Sequence, residues 1–509
     1  MPSPTRFTFH VLRFALLLAF LFSAVYVLVA FTRILYPYDI DFIEDGMLMQ
    51  SLRAASGQPV YAPPSVEFTP HVYMPLYMWL GGLLFKFTGP SYVPLRLLSF
   101  GATLATALMI YRITRRESGR RWLGLACAGL WLGGYRIADG WYELARVDSL
   151  FVALSLCGLL IGIDMRASRR GIILAALAMA LAFLTKQTGV IFATGLAIYL
   201  LMSSGRRAGL FVGVYGALVI ASLVALNVST QDWFSYYVFR IAASNPVEAG
   251  RVVDYVRIEL FGLMAGLSLV AAVTGWLCFR RSGVMAIREQ PWLIGIGAAV
   301  AISGLGRASV GGAMNNLMPA YALLCLSPAL LMKELAKDER RTASAPIRPS
   351  SFVLRLLSHP TELVAALIIL QFALGVYNPL RFIPSAAVRQ AADRLIARIA
   401  ATPGEVFVMM HPYYALLAGK TPSAQIAAVW HSRGRGVMPL PDDLVERIEH
   451  RYYAAVISDE TPFEIDPPLA KLLEANYSRQ VLPADESPPT LTGMFARPAV
   501  MYVPRGDAP

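Results

Sequence analysis

Apolar positions in this chain come in runs, most of them long enough or nearly long enough to cross a hydrocarbon core about 30 Å thick, which takes roughly 20 residues of helix. Eleven such runs can be drawn, over residues 12–32, 94–112, 122–137, 147–163, 171–185, 189–204, 209–228, 259–279, 291–305, 314–332 and 361–379. The pattern predicts a polytopic α-helical membrane protein with about eleven transmembrane helices. The runs 122–137, 171–185 and 291–305 are short, which predicts polar helix ends in a cavity or a locally thinned bilayer. The first run, Phe14 to Phe31, lacks a small-residue cleavage site and continues into Tyr36-Pro37-Tyr38-Asp39, so it reads as an uncleaved span and not a secretory signal.

Two stretches break the rhythm. Within residues 33–93, Gly46 to Ala55 reads as an amphipathic helix ended by Gly57, and the pair Pro63-Pro64 keeps the chain beyond it from continuing as helix. Tyr73-Met74-Pro75-Leu76-Tyr77-Met78-Trp79 then opens an apolar segment reaching Phe87. It is short for a span and reads as an interfacial or re-entrant element, with Tyr77 and Trp79 at headgroup depth. After about residue 380 the apolar runs shorten and alternate with polar helices: strands over 405–410, 454–458 and 500–503, helices over 442–453 and 468–475. Residues 1–380 are thus expected to form a transmembrane module and 381–509 a soluble α/β domain, in which no catalytic motif stands out.

Composition agrees: 56% of the 509 residues are hydrophobic and 15% charged. The formal net charge of +12 raises the question of nucleic acid, but its distribution argues against that. Basic residues cluster as Arg112/Arg115/Arg116/Arg120/Arg121, Arg166/Arg169/Arg170, Arg206/Arg207, Arg280/Arg281/Arg288 and Lys333/Lys337/Arg340/Arg341/Arg348, always between apolar runs. A cytoplasmic N-terminus puts every cluster inside, as the positive-inside rule requires, and places 33–93, 229–258 and the C-terminal domain outside. The four cysteines are scattered, which is neither a disulfide framework nor a metal knuckle.

Four polar segments then fall on the outer side. Asp39, Asp41, Glu44 and Asp45 sit among Tyr36, Pro37, Tyr38, Ile40, Phe42 and Ile43. Carboxylates in such a setting can accept a hydroxyl proton, bind a cation or meet a basic substrate, although an N-cap cluster at a solvated helix start has the same composition. Arg146-Val147-Asp148 opens the fourth run, where an uncompensated charge near mid-bilayer costs about 2.5 to 3.5 kcal/mol; the pair can bind substrate or simply close a helix turn. Lys186-Gln187-Thr188 suits a phosphate clamp or a snorkelling lysine. Arg307, with Gly311-Gly312 and Asn315-Asn316, suits contact with sugar hydroxyls or a helix cap.

These features together resemble the GT-C superfamily of integral-membrane glycosyltransferases, in the branch of the protein O-mannosyltransferases and the lipid A aminoarabinose transferase. The residues that carry the resemblance are Glu44-Asp45 after the first span (an acidic pair in reversed order), Gly57, Tyr61, the segment Tyr73 to Trp79, Arg96-Leu97, and Arg146-Val147-Asp148. The resemblance spans roughly residues 10–380; the C-terminal domain is similar to the family's outer domains in position and size only. It implies transfer of a sugar from a polyprenyl-phosphate donor to a cell-envelope lipid, glycan or protein acceptor at the outer face of the cytoplasmic (inner) membrane. Glu44 or Asp45 would be the general base, and Asp148 would orient acceptor or base or share a divalent cation. Where the aminoarabinose transferase pattern has a lysine suited to phosphate, this chain has Tyr73, so phosphate contact falls to Lys186, Arg96 or Arg307. Asp41, Tyr73, Arg146, Gln187, Asn315 and Asn316 complete the expected substrate-binding set. A transporter, or a non-catalytic envelope assembly protein, are the other readings of the same pattern.

Overall fold

The computed structural model describes residues 6–342, 359–459 and 466–506; of the last basic cluster, Arg348 lies outside them. Helices occupy all the predicted runs. Those before the segment at 231–248 are α1 (Arg6–Ile34), α2 (Phe42–Ala55), α3 (Leu76–Thr88), α4 (Tyr92–Ser118), α5 (Arg121–Gly133), α6 (Val147–Asp164), α7 (Arg169–Thr185), α8 (Gly189–Ser203) and α9 (Gly205–Thr230). Further helices span Ala265–Ser282, Trp292–Ala308, Met318–Leu324, Ser327–Thr342 and Pro360–Leu374.

The expected count of eleven crossings needs correction. Five helices among the described residues are long and apolar enough to cross a membrane, over Thr8–Ile34, Tyr92–Ser118, Val147–Asp164, Gly205–Thr230 and Met314–Lys337, and the number is up to seven if each of two bent pairs is one span. Five of the remaining apolar runs form helices of 13 to 17 residues, which at 1.5 Å per residue reach only about 20–26 Å, and the run at 259–279 is bent ahead of the 18-residue helix Ala265–Ser282. They are short because polar segments cut them: Lys186 to Thr188 separates α7 from α8, and a 97° bend divides the helices ending at Leu263 and starting at Ala265. The segment after Tyr73 forms α3, 13 residues long. Phe20, Leu28, Ile220 and Val228, on α1 and α9, are each more than 60% exposed. Side chains that apolar, turned outward along whole helices, require hydrocarbon around them.

The bundle has two chemically distinct ends. At one, the basic clusters are stitched together: Glu117 at the end of α4 meets Lys333 at 2.6 Å and the Trp292 indole at 3.2 Å, Arg116 pairs with Asp164 at the end of α6, and Arg281 meets Glu334 at 2.7 Å. At the other end lie the C-terminus of α1, the acidic segment, the starts of α4 and α6, and the polar break after α7.

Past residue 380 the chain forms a four-stranded sheet in the order β1-β2-β4-β3, with β1 (Val406–Val408) parallel to β2 (Ala455–Asp459), and β4 (Pro498–Pro504) antiparallel to both β2 and β3 (Tyr477–Val481). Helices Asp442–Glu449 and Pro467–Asn476 cover it, burying Leu444, Ile448, Leu469 and Leu473. β3 was not foreseen: only its first residue, Tyr477, is buried, so it lacks the apolar alternation that marks a strand. The domain sits on the acidic end of the bundle, where Leu491 and Thr492 both donate backbone hydrogen bonds to Ile40 O, at 2.9 and 3.1 Å.

Candidate active site

The acidic segment forms the entry to α2. Asp41, extended at φ −127°, caps the helix by accepting from the Ile43 backbone at 3.1 Å, which leaves Glu44 and Asp45 in the first turn, where the helix dipole favours negative charge. The four carboxylates then diverge. Glu44 is fully enclosed: it accepts from Arg96 Nε at 2.9 Å and Nη2 at 2.6 Å, from Ile40 N at 2.8 Å and from Ala145 N at 2.7 Å. Arg96 spends its remaining N–H groups on the carbonyls of Arg33, Tyr36 and Tyr38, at 2.6 to 2.8 Å. All five of its donors are consumed, so Glu44 and Arg96 are brought to each other and not to a cavity.

The other expected residues converge beside them. Arg146 donates to Asp41 Oδ1 at 2.6 Å and to the Tyr73 hydroxyl at 2.8 Å, with its guanidinium 4.4 Å from the Trp141 ring centroid. Two residues further along the chain, Asp148 accepts from Lys186 Nζ at 2.9 Å and Asn315 Nδ2 at 3.0 Å, and Lys186 also reaches Asn316 Oδ1 at 3.1 Å. The polar break after α7 and the segment before Met318 are thereby tied to the start of α6. Asp41, Tyr73, Arg146, Asp148, Lys186, Asn315 and Asn316 therefore form one cluster in which carboxylates and cations alternate. Lys186, with 14% of its side chain exposed, and half-buried Tyr73 and Asn316 are where the cluster opens outward. A divalent cation on Asp148 would have to displace Lys186 and Asn315, which already hold both oxygens; among the described residues no group of three or more His, Cys, Asp or Glu is placed to hold a metal.

Besides Glu44, Asp45 and Arg96, two more expected residues lie outside the cluster. Arg307 is clamped on Glu259, with Nε 2.8 and 2.9 Å from the two carboxylate oxygens. Gln187 donates to Val238 O at 3.3 Å.

The C-terminal domain supplies groups that sequence reasoning missed. His411, three residues past the end of β1, lies 2.9 Å from Asp39 Oδ2 through Nδ1 and 3.0 Å from Asp459 Oδ2 through Nε2. Burial works to lower its pKa, but the two carboxylates outweigh burial and hold the ring well above the ordinary histidine value. Burial likewise opposes ionisation of Asp39, and the His411 cation outweighs it, holding Asp39 below the usual carboxylate range. Asp45 has no such partner. It accepts only from Tyr413 N, at 3.3 Å, and burial together with the Asp39 charge drives its pKa well up. His71 is neutral, pushed by burial down to about 3. Gln425 donates to Phe42 O and Met410 O at 2.5 and 2.7 Å, so its oxygen must accept the 2.7 Å bond from His71 Nε2. The sequence signal available was His411-Pro412-Tyr413-Tyr414 directly after a predicted strand.

No curated protein sequence matches the chain. Residues 70–229 match the dolichyl-phosphate-mannose-protein mannosyltransferase family. Among solved structures, ArnT from Cupriavidus metallidurans bound to undecaprenyl phosphate is similar over 96% of this chain and 98% of its own, at 18% identity and a TM-score of 0.59. ArnT in the apo state gives 95% and 97%, 16% identity and 0.59. The oligosaccharyltransferase of Archaeoglobus fulgidus in the apo form gives 97% and 74%, 12% identity and 0.52. The chain thus shares the fold of ArnT and of the archaeal oligosaccharyltransferase.

Proposed function

We propose that the protein transfers a sugar from a polyprenyl-phosphate-linked donor to a hydroxyl of a lipid, glycan or protein acceptor at the outer face of the cytoplasmic membrane. The observation that carries this reading is the row Asp41–Arg146 and Asp148–Lys186 at the non-basic end of the bundle. A lipid-linked donor keeps its tail in hydrocarbon and brings phosphate and sugar to that depth. There Lys186 and Arg146 offset the charge that gathers on the departing phosphate, Asp148 holds the lysine in place, and a carboxylate takes the acceptor's proton. Asn315 and Asn316 are suited to sugar hydroxyls. Direct displacement at the anomeric carbon inverts its configuration. The likeness to ArnT, solved with undecaprenyl phosphate, supports the carrier, and the mannosyltransferase match supports a sugar as the group transferred.

The same reading places the N-terminus in the cytoplasm and puts the domain after about residue 380 outside. Purified protein in nanodiscs, supplied with radiolabelled polyprenyl-phosphate sugars and envelope acceptors, tests it. Wild type transfers label from at least one donor. Lys186→Met weakens polyprenyl phosphate binding by roughly tenfold or more, the worth of a hydrogen bond to a charged group. Unaltered carrier affinity in that variant would remove the phosphate role of Lys186.

A further inference from the structure

We propose that Arg435, on the C-terminal domain, is a positioning residue for the transfer: it holds the segment that carries Asn315 and Asn316, and through them the Asp148–Lys186 pair. The proposal rests on the transferase reading above and names the residue that couples the outer domain to that site. Asn315 and Asn316 are the groups that share Asp148 and Lys186, at 3.0 and 3.1 Å. The chain that presents them is poorly anchored by packing. From Ser309 to Met314 no residue is buried, and Gly311, at φ +82°, is exposed. Hydrogen bonds must fix such a segment where apolar burial does not.

Three ties meet on it, and they differ in what stands behind them. Val310 N donates to Pro246 O at 2.9 Å, but Pro246, Val247 and Glu248 are themselves exposed, so that partner is no firmer than the segment. Arg307 donates to Gly312 O from the helix that precedes it. The third tie comes from another body: Arg435 Nη2 donates to Val310 O at 2.9 Å, across 125 positions of chain. Behind Arg435 stands a rigid turn. Met438 N donates to Arg433 O at 2.9 Å and Arg435 N to Trp430 O at 3.1 Å. Arg433 Nε donates to Met438 O and Pro439 O at 2.7 and 2.8 Å, and its guanidinium is locked on buried Asp466.

The backbone of that turn makes the arginine conspicuous. Arg435 has φ +62°, between Gly434 at +60° and Gly436 at +82°, so a residue with a Cβ holds the middle of three successive left-handed positions. Glycine suits such a position better, and the side chain that stands there makes few contacts. Among the described residues its guanidinium has the one hydrogen bond to Val310 O, Nε is buried without a partner, and the Trp430 ring centroid lies 5.8 Å away. The carboxylate facing it, Glu248, is engaged by Arg251 at 2.9 Å. A single bond to a carbonyl contributes at best about what the conformation costs. Stability therefore does not account for the arginine; its reach to Val310 does. Without it the segment is free to shift, Asn316 leaves Lys186, and the ammonium is drawn to Asp148 alone and away from a carrier phosphate.

Arg435→Gly removes the guanidinium and relieves the turn, since glycine takes a positive φ freely, so it should melt near wild type. In the nanodisc assay it should raise the KM for the polyprenyl-phosphate sugar by roughly tenfold, the worth of a hydrogen bond from a charged group, with kcat at saturating donor little changed. Arg435→Lys, which keeps a donor and a charge, should recover part of the loss. Added to Lys186→Met, Arg435→Gly should cost little more, because both act through one ammonium. Full additivity of the two, or a folded Arg435→Gly with the wild-type KM, overturns the assignment and leaves the transferase reading standing. A melting temperature and a kcat that fall together overturn it too, since the arginine is then a brace for the fold. A wild type that moves no sugar from any donor in the panel overturns both.

Discussion

At the scale of single residues, Glu44 and Arg96 act as a bracket. The pair has no exposed side-chain surface and gathers the carbonyls of Arg33, Tyr36 and Tyr38 around the exit of α1. Removing one member of a buried, hydrogen-bonded pair leaves an uncompensated charge and costs about 3–5 kcal/mol. Glu44→Gln should therefore lower the melting temperature in detergent and reduce transfer in proportion to folded protein, with kcat per folded molecule nearly intact. A stable, dead Glu44→Gln would make Glu44 chemical after all. The acidic run was legible in the sequence because four carboxylates among aromatics are conspicuous. Which of them is buttress and which is free was not, because the deciding partners stand 52 and 101 positions away, at Arg96 and Ala145. His411 was invisible for the same reason: only the fold places it on Asp39.

At the scale of elements, α2 shows how local signals and distant packing share control. Its stop at Gly57 and its acidic first turn arise from residue type, and the helix was expected from Gly46 onward; Asp41 starts it four residues earlier by capping. Gly46 is constrained from outside, since a Cβ there would stand 2.1 Å from His71 Nε2. Gly46→Ala must push aside a histidine fixed by Gln425, and overpacking of this kind costs about 1–3 kcal/mol. The expected outcome is a lower melting temperature and faster proteolysis between the bundle and the C-terminal domain; an unchanged melting curve would show that His71 can move freely. Span positions were legible because apolar runs announce themselves. Span lengths were not, since helices cut by Lys186 or bent near Met264 satisfy their broken ends against neighbours that no local pattern reveals.

At the scale of the whole molecule, the C-terminal domain is tied to the acidic end of the bundle. His411 links Asp39 of the loop to Asp459 of β2. Its raised pKa means that the stability it contributes is present below the ordinary histidine value and lost as pH rises through the elevated one; the lowered pKa of Asp39 means that its share is lost as pH falls through that depressed value. The attachment should therefore hold across neutral pH and loosen at the alkaline extreme. Melting curves of wild type and His411→Gln should differ by several degrees at neutral pH and converge as pH climbs. A gap that persists undiminished into strong alkali would mean that the imidazolium charge is not what joins them.

The contact of His411 with Asp39 has a consequence in time as well as in space. The acidic segment leaves the ribosome among the first tenth of the chain, while the residues that hold and cover it, His411, Asp459 and Gly493, belong to the last fifth. During synthesis the carboxylates are made long before His411 is, and wait without it. A chain arrested or clipped before residue 411 would carry the helices of the bundle, yet hold Asp39 without its histidine.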